Sequence, residues 1–111
     1  FKGWPDFTMA WRKSAEVKKS MSLEDLRREA RKDILFPLAC FLLAAEKQCY
    51  FCYTWGWEPD QCSWGWYPEF DQPLGPPKGD AVRDGWTFRR EFEHASVLVD
   101  VEKQIAKINW K

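Results

Sequence analysis

Apolar residues recur along this chain first at helical spacing, then as a short continuous run, and last in strand-like alternation. Phe7, Ala10, Trp11, Ser14 and Val17 return every three or four residues with Lys and Arg between them, which predicts a first helix from about Pro5 to Lys19. Pro5 suits its first turn, where its missing N–H would have no partner anyway. A second helix is signalled more strongly. Ser22 can cap it, Asp25 takes the reciprocal position of a capping box, and Glu24 and Asp25 suit the positive end of the helix dipole. Leu23, Leu26, Ala30, Ile34, Leu38, Phe41 and Ala45 share one face, predicting a helix over 23–45. From Ile34 onward the run is apolar nearly all round, so it needs cover on several sides, and a chain of 111 residues has little to give. That run contains Pro37 and is too short to span a bilayer. We read it as a buried helix of a soluble protein, with part of its cover coming from elsewhere.

Cys49 to Trp55 then reads as a fully buried strand, aromatic and without polar alternation. Gly56, Pro59, Asp60 and Gly65 break the next stretch into loop, and Pro68 to Gly79 is irregular connecting chain. Phe88, Arg90, Phe92 and His94 share one parity, while Val97, Val99 and Val101 share the other. A single strand with a bulge near Ala95 accounts for the switch. A turn at Glu102-Lys103-Gln104 and a last strand from Ile105 complete a β-hairpin. The organisation expected is one domain or domain fragment: helices and strand over 1–57, a Trp/Pro/Gly-rich loop over 58–86, and the hairpin over 87–111.

Composition narrows the function. Seventeen basic residues balance seventeen acidic ones, which argues against a nucleic-acid binder acting through counterion release. Eight residues are Trp, more than a core this small needs, so an interface or a ligand surface is implied. The chain begins at Phe1 without a signal-peptide pattern, which is compatible with a processed product, a domain or a truncated frame. Cys40, Cys49, Cys52 and Cys62 are too few to define a disulfide scaffold. No cofactor is expected.

Eight aromatic side chains lie between Tyr50 and Tyr67: Tyr50, Phe51, Tyr53, Trp55, Trp57, Trp64, Trp66 and Tyr67. Sugar rings offer flat C–H patches that an indole face covers, and rims of hydroxyls that carboxylates and amides bond. Glu58, Asp60, Gln61, Glu69 and Asp71 are interleaved or adjacent, so both halves of that chemistry are present. Phe51 and one of Tyr50 and Tyr53 are expected in the core. The exposed platform is assigned to Trp55, Trp57, Trp64, Trp66 and Tyr67, with Glu58 and Asp60 bonding the rim, and the ligand to an oligo- or polysaccharide. A catalytic pair for glycoside hydrolysis needs two carboxyl groups at defined separation, which loop spacing does not establish. Solvated loop carboxylates are the simpler account.

Other constellations weigh less. Cys49-x-x-Cys52 resembles a redox or zinc half-site, but no second pair accompanies it and His94 is the lone histidine. Buried free thiols are the default, and a Cys52–Cys62 disulfide is the alternative in an exported protein. His94, among Arg89, Arg90, Glu91 and Glu93, reads as a strand histidine in a polar network. Arg27, Arg28, Arg31 and Lys32, interspersed with Glu24, Asp25, Glu29 and Asp33, read as a solvated helix face with i,i+4 pairs.

One resemblance joins these features. The apolar helix, a strand ending in Trp-Gly-Trp, the segment Pro73-Leu74-Gly75-Pro76-Pro77 and the run from Arg90 through Phe92 and Val97 to Asp100 come in that order. This resembles the C-terminal end of glycoside-hydrolase-like proteins with a (β/α)8 barrel, which carry a similar P-L-G-x-P segment and an R-x-F-x-x-G-x-V-x-V-N hairpin. Ala95 stands where that pattern has Gly, and Asp100 where it has Asn. The resemblance covers about Leu23 to Trp110. It implies an α/β fold, the C-terminal part of a barrel, with the apolar helix as its last helix and Cys49 to Trp55 as strand eight. A small α+β domain is the alternative. It also implies that Trp55 and Trp57 support a sugar at the strand's C-terminal end. Catalytic carboxylates would lie in a preceding N-terminal part of the same protein, leaving this piece alone inactive. A polysaccharide hydrolase of this kind would be periplasmic or secreted. A self-contained carbohydrate-binding or interaction module, or an aromatic interface to another chain, are the rival readings.

Overall fold

A computed structural model of the chain describes residues 2–5, 8, 20, 22–55 and 65–111. Apart from Pro5 and Thr8, the helix expected over 5–19 lies outside these residues, as do Trp57, Glu58, Asp60 and Trp64. The described elements are β1 (Lys2–Gly3), α1 (Leu23–Asp33), α2 (Leu35–Ala44), β2 (Cys52–Tyr53), a 3-10 turn (Pro68–Asp71), β3 (Val82–Asp84), β4 (Thr87–Glu91), β5 (Ala95–Asp100) and β6 (Ile105–Trp110).

The capping box forms as read. Ser22 Oγ accepts from Asp25 N at 3.1 Å, and Asp25 Oδ2 accepts from Ser22 N at 3.3 Å. The single helix expected through Ala45 is instead two, divided at Ile34. Pro37 explains the break: it has no N–H for the carbonyl of Asp33, and its ring crowds that carbonyl. Helical bonding resumes with Leu38 N donating to Ile34 O at 3.1 Å.

The expected strand over 49–55 shrinks to two residues. Gln48 takes a left-handed turn (φ 65°), Cys49 N donates back to Glu46 O at 3.2 Å, and Tyr50 is 79% exposed. Only then does the chain pair, Lys2 with Cys52 and Gly3 with Tyr53, in parallel. A Cβ on Gly3 would lie 2.9 Å from Pro37 Cβ, so glycine lets β1 sit against the start of α2.

The larger sheet is an antiparallel meander in the order β3-β4-β5-β6. The parity switch read as a bulge is a reversal. Phe92 N donates to Ala95 O at 2.8 Å, and Arg90 faces Val97 across the new strand pair. Two parities therefore reach one face. Phe88, Arg90, Ala95, Val97, Val99, Ala106, Ile108 and Trp110 lie in register under α2, while Arg89, Leu98, Lys107, Glu91, Ser96 and Asn109 line the other face. The turn expected at 102–104 is present, held by Asp100 Oδ1 accepting from Glu102 N and Lys103 N at 3.1 and 3.0 Å.

Arg90, 4% exposed, ties sheet to helix. Its Nη1 donates to Leu42 O, Leu43 O and Ala45 O at 3.0, 3.3 and 2.7 Å, and its Nε to Gly79 O at 3.0 Å. The first three are the orphan carbonyls at the negative end of α2, the place a cation stabilises best, and Gly79 lies in the loop before β3. The Pro-Leu-Gly segment closes on the β4–β5 turn. His94 N donates to Leu74 O and Glu93 N to Pro76 O, both at 3.0 Å, and Lys78 N to Glu91 O at 2.8 Å. Gly75 has φ +72°, and a Cβ there would fall 2.7 Å from Glu93 Cβ.

The barrel expectation is therefore corrected. A barrel strand of this kind pairs in parallel on both sides and is followed by a helix. Here the parallel pair is two residues long, and the main sheet is antiparallel with its apolar face closed by α2. The architecture is a small α+β domain. The cover that α2 needs comes in large part from this sheet, which the one-strand-with-bulge reading had hidden. No helix among the described residues is long and apolar enough to cross a membrane.

Candidate functional site

Trp55 and residues 65–68 meet α1 around one cleft. Thr54 N donates to Gly3 O at 3.3 Å, continuing the β1–β2 pairing by one residue and carrying Trp55 inward. Tyr53 Oη donates to Ala30 O at 2.7 Å, which fixes β2 on α1. Trp55, expected on the surface, is 2% exposed and is the largest fully buried side chain among the described residues. Tyr67 is buried as well, packed edge-on to Tyr53 with ring centroids 5.3 Å apart.

Trp66 is the opposite case, 71% exposed. Its indole is nevertheless held. Nε1 donates to Asp71 Oδ2 at 2.8 Å across the 3-10 turn, and Phe70 meets it edge to face at 5.2 Å. Phe70 in turn contacts Tyr67 at 5.6 Å and Phe51 at 6.0 Å, and Phe51 contacts Phe41 at 5.4 Å. A continuous set of rings thus runs from α2 to the surface and braces the exposed indole.

The cleft has a volume of about 360 Å³ and is lined by Arg27, Arg31, Trp55, Gly65, Trp66, Tyr67 and Pro68. That lies in the lower part of the range of small-ligand sites, roughly 300–1,000 Å³. Buried Trp55 and Tyr67 supply its inner wall; exposed Arg27, Arg31 and Trp66 supply its rim. Burial pushes the Tyr67 phenol above its usual pKa, with the Arg27 charge opposing and Glu69 adding to the rise.

Of the platform read from sequence, the structure brings Trp55, Trp66 and Tyr67 together, but only Trp66 is exposed. Trp57, Glu58, Asp60 and Trp64 lie outside the described residues. Phe51 and Tyr53 turn inward as expected. Asp71 is engaged by the indole of Trp66, so it positions the ring. One oxygen of Glu69, Oε2, is buried without a hydrogen-bond partner. No acid–base pair is assigned among the described carboxylates.

Arg27 and Arg31 were read as part of a solvated face with i,i+4 pairs. Two pairs do form, at i,i+3: Arg28 with Asp25 at 2.6 Å and Lys32 with Glu29 at 3.0 Å. Arg27 and Arg31 have no ion pair among the described residues and border the cleft instead. A signal for this was in the sequence. Arg31 has no acidic residue three or four positions away on either side, and its neighbour at i−4 is Arg27.

His94 sits in the β4–β5 turn, half-exposed, 3.5 Å from Glu93 Oε1. Its backbone bonds to Leu74 and Lys111 give it a structural place, in a turn where a strand was expected. Cys40, Cys49 and Cys52 are free thiols, with Cys49 exposed ahead of β2; Cys62 lies outside the described residues.

The model of a family described as hypothetical glycosyl hydrolase family 15 matches residues 7–96. No curated protein matches the chain.

Proposed function

The chain belongs to hypothetical glycosyl hydrolase family 15, and on that premise we propose that it is the carbohydrate-contacting portion of a glycoside-hydrolase-like enzyme. Its ligand is an oligo- or polysaccharide, and Trp66 is the stacking platform. The observation that carries this reading is an indole exposed to solvent yet fixed by Asp71 and Phe70. A ring already held in place loses little freedom when it covers the C–H face of a sugar. Trp55 and Tyr67 complete the apolar wall behind it. Trp57 and Trp64 belong to the same proposal as further stacking rings, and Glu58 and Asp60 as acceptors for rim hydroxyls. The reading assigns recognition, and not bond cleavage, to the described residues.

Isothermal titration of the chain with a panel of neutral and acidic oligosaccharides tests it. At least one is expected to bind, and Trp66→Ala is expected to weaken that binding about tenfold or more, as loss of a central Trp anchor does. A folded chain that binds none of the panel would sink the reading and leave Trp66 to a protein interface.

A further inference from the structure

The geometry points to an anionic sugar as the ligand of this cleft, its carboxylate or sulfate ester held by Arg27 and Arg31 while Trp66 covers the ring. The inference rests on the carbohydrate reading above and adds the charge of the ligand.

Three observations carry it. Arg27 and Arg31 stand one helical turn apart on α1, so their guanidinium groups project to the same side of the helix. Both line the cleft that Trp66 and Tyr67 wall. Neither has a carboxylate partner among the described residues, although Arg28 and Lys32, one position further along the same helix, are both paired.

Two unpaired like charges at i,i+4 oppose helix stability. A local conflict of this kind, on a helix that is otherwise well capped and well paired, is expected at a binding site. An incoming anion removes it. The guanidinium fork matches a carboxylate or sulfate with two parallel charge-assisted bonds, so two arginines can take one anionic group or two neighbouring ones. The buried apolar wall behind them lowers the local dielectric, which strengthens the attraction relative to open solvent. A neutral pyranose offers both cations hydroxyl acceptors but no opposite charge.

Arg27 and Arg31 are exposed and Gln is as good a helix former as Arg, so the R27Q/R31Q double variant is expected to keep its fold, as checked by circular dichroism. Wild type and the double variant are titrated with oligogalacturonate, with chondroitin sulfate oligosaccharide, and with neutral xylo- and cello-oligosaccharides, each at low and at physiological salt. The expected result is binding to at least one anionic oligosaccharide about tenfold or more tighter than to either neutral one, weakened by salt, and a double variant without that preference. Binding restricted to oligogalacturonate assigns the site to a carboxylate; binding to the chondroitin sulfate oligosaccharide that is lost when its sulfates are removed, its glucuronate carboxylates being kept, assigns it to a sulfate ester. Equal binding of neutral and anionic sugars, or a preference that survives in the double variant, overturns the inference and leaves the carbohydrate reading standing. A folded chain that binds none of them overturns both.

Discussion

Arg90 and the pair Arg27 and Arg31 put the same side chain to opposite uses. Arg90 is buried, and its Nη1 and Nε donors are occupied by the carbonyls of Leu42, Leu43, Ala45 and Gly79. Arg27 and Arg31 are exposed at a cleft without an ion pair among the described residues. The same division runs through the aromatics, between Trp55 in the core and Trp66 at the surface. The segments that carry the family resemblance, around Gly75 and from Arg90 to Asp100, belong to the satisfied half. They close a turn on a loop and fasten a sheet to a helix. What marks the candidate site is the reverse: an exposed indole held by Asp71 and Phe70, beside two exposed arginines without an ion pair among the described residues.

The largest test of this contrast is between the two tryptophans. Trp55→Ala is expected to cost about 3–5 kcal/mol, the range for emptying a large buried site, whereas Trp66→Ala should stay within about 0.5 kcal/mol. In thermal melts that is a fall on the order of 10 °C or more against almost none. Equal losses would erase the distinction between core and surface indole. Trp55→Ala would therefore report on folding before it could report on ligand binding.

Next come the arginines. Arg90→Met leaves four carbonyls without their donor and is expected to destabilise by about 3 kcal/mol, with Arg90→Lys recovering part, because a point charge cannot span the same acceptors. Arg31→Gln should be neutral, or slightly stabilising by about 0.3 kcal/mol, since it removes a like-charge pair. Urea titrations measure both, and a destabilising Arg31→Gln would show that this arginine has a structural partner.

A last test concerns the helix that presents the two rim arginines. Ser22→Ala is expected to cost about 1 kcal/mol. The Ser22 hydroxyl, followed by the Arg28 guanidinium, holds the Asp25 carboxyl below the usual carboxylate range. A depressed carboxyl stabilises the fold above its unfolded pKa, and this contribution fades as pH falls through the lower folded value. Melts across the acid range should show a shallower acid-side loss in Ser22→Ala than in wild type. Parallel curves would mean that the capping box does not set this slope.

Much of the local structure was legible. The capping box at Ser22 and Asp25, the turn after Asp100 and the inward Phe51 follow from residue type and spacing; the same reading put Trp55, Trp66 and Tyr67 outward, and of these Trp66 alone is exposed. The misreadings share one cause. Period two reports which face a residue takes, but not whether the chain has reversed, so the β4–β5 turn looked like a bulge and a meander looked like one strand. The aromatic run after α2 looked like a buried strand because strand propensity cannot tell Tyr50, which solvent takes, from Tyr53, which Ala30 O anchors. The barrel was implied by the family resemblance, which cast that stretch as strand eight; the antiparallel meander overturns it.

The sequence by itself determined where α1 begins, and that aromatic residues exceed what a core this small needs. Those properties depend on neighbours a few positions away. Only the tertiary structure decided which tryptophan is core and which is surface, that Arg90 caps α2, and that Arg27 and Arg31 face a cleft. Each of these depends on contacts between segments far apart in the chain, where burial and pairing, and not residue type, set what a side chain does.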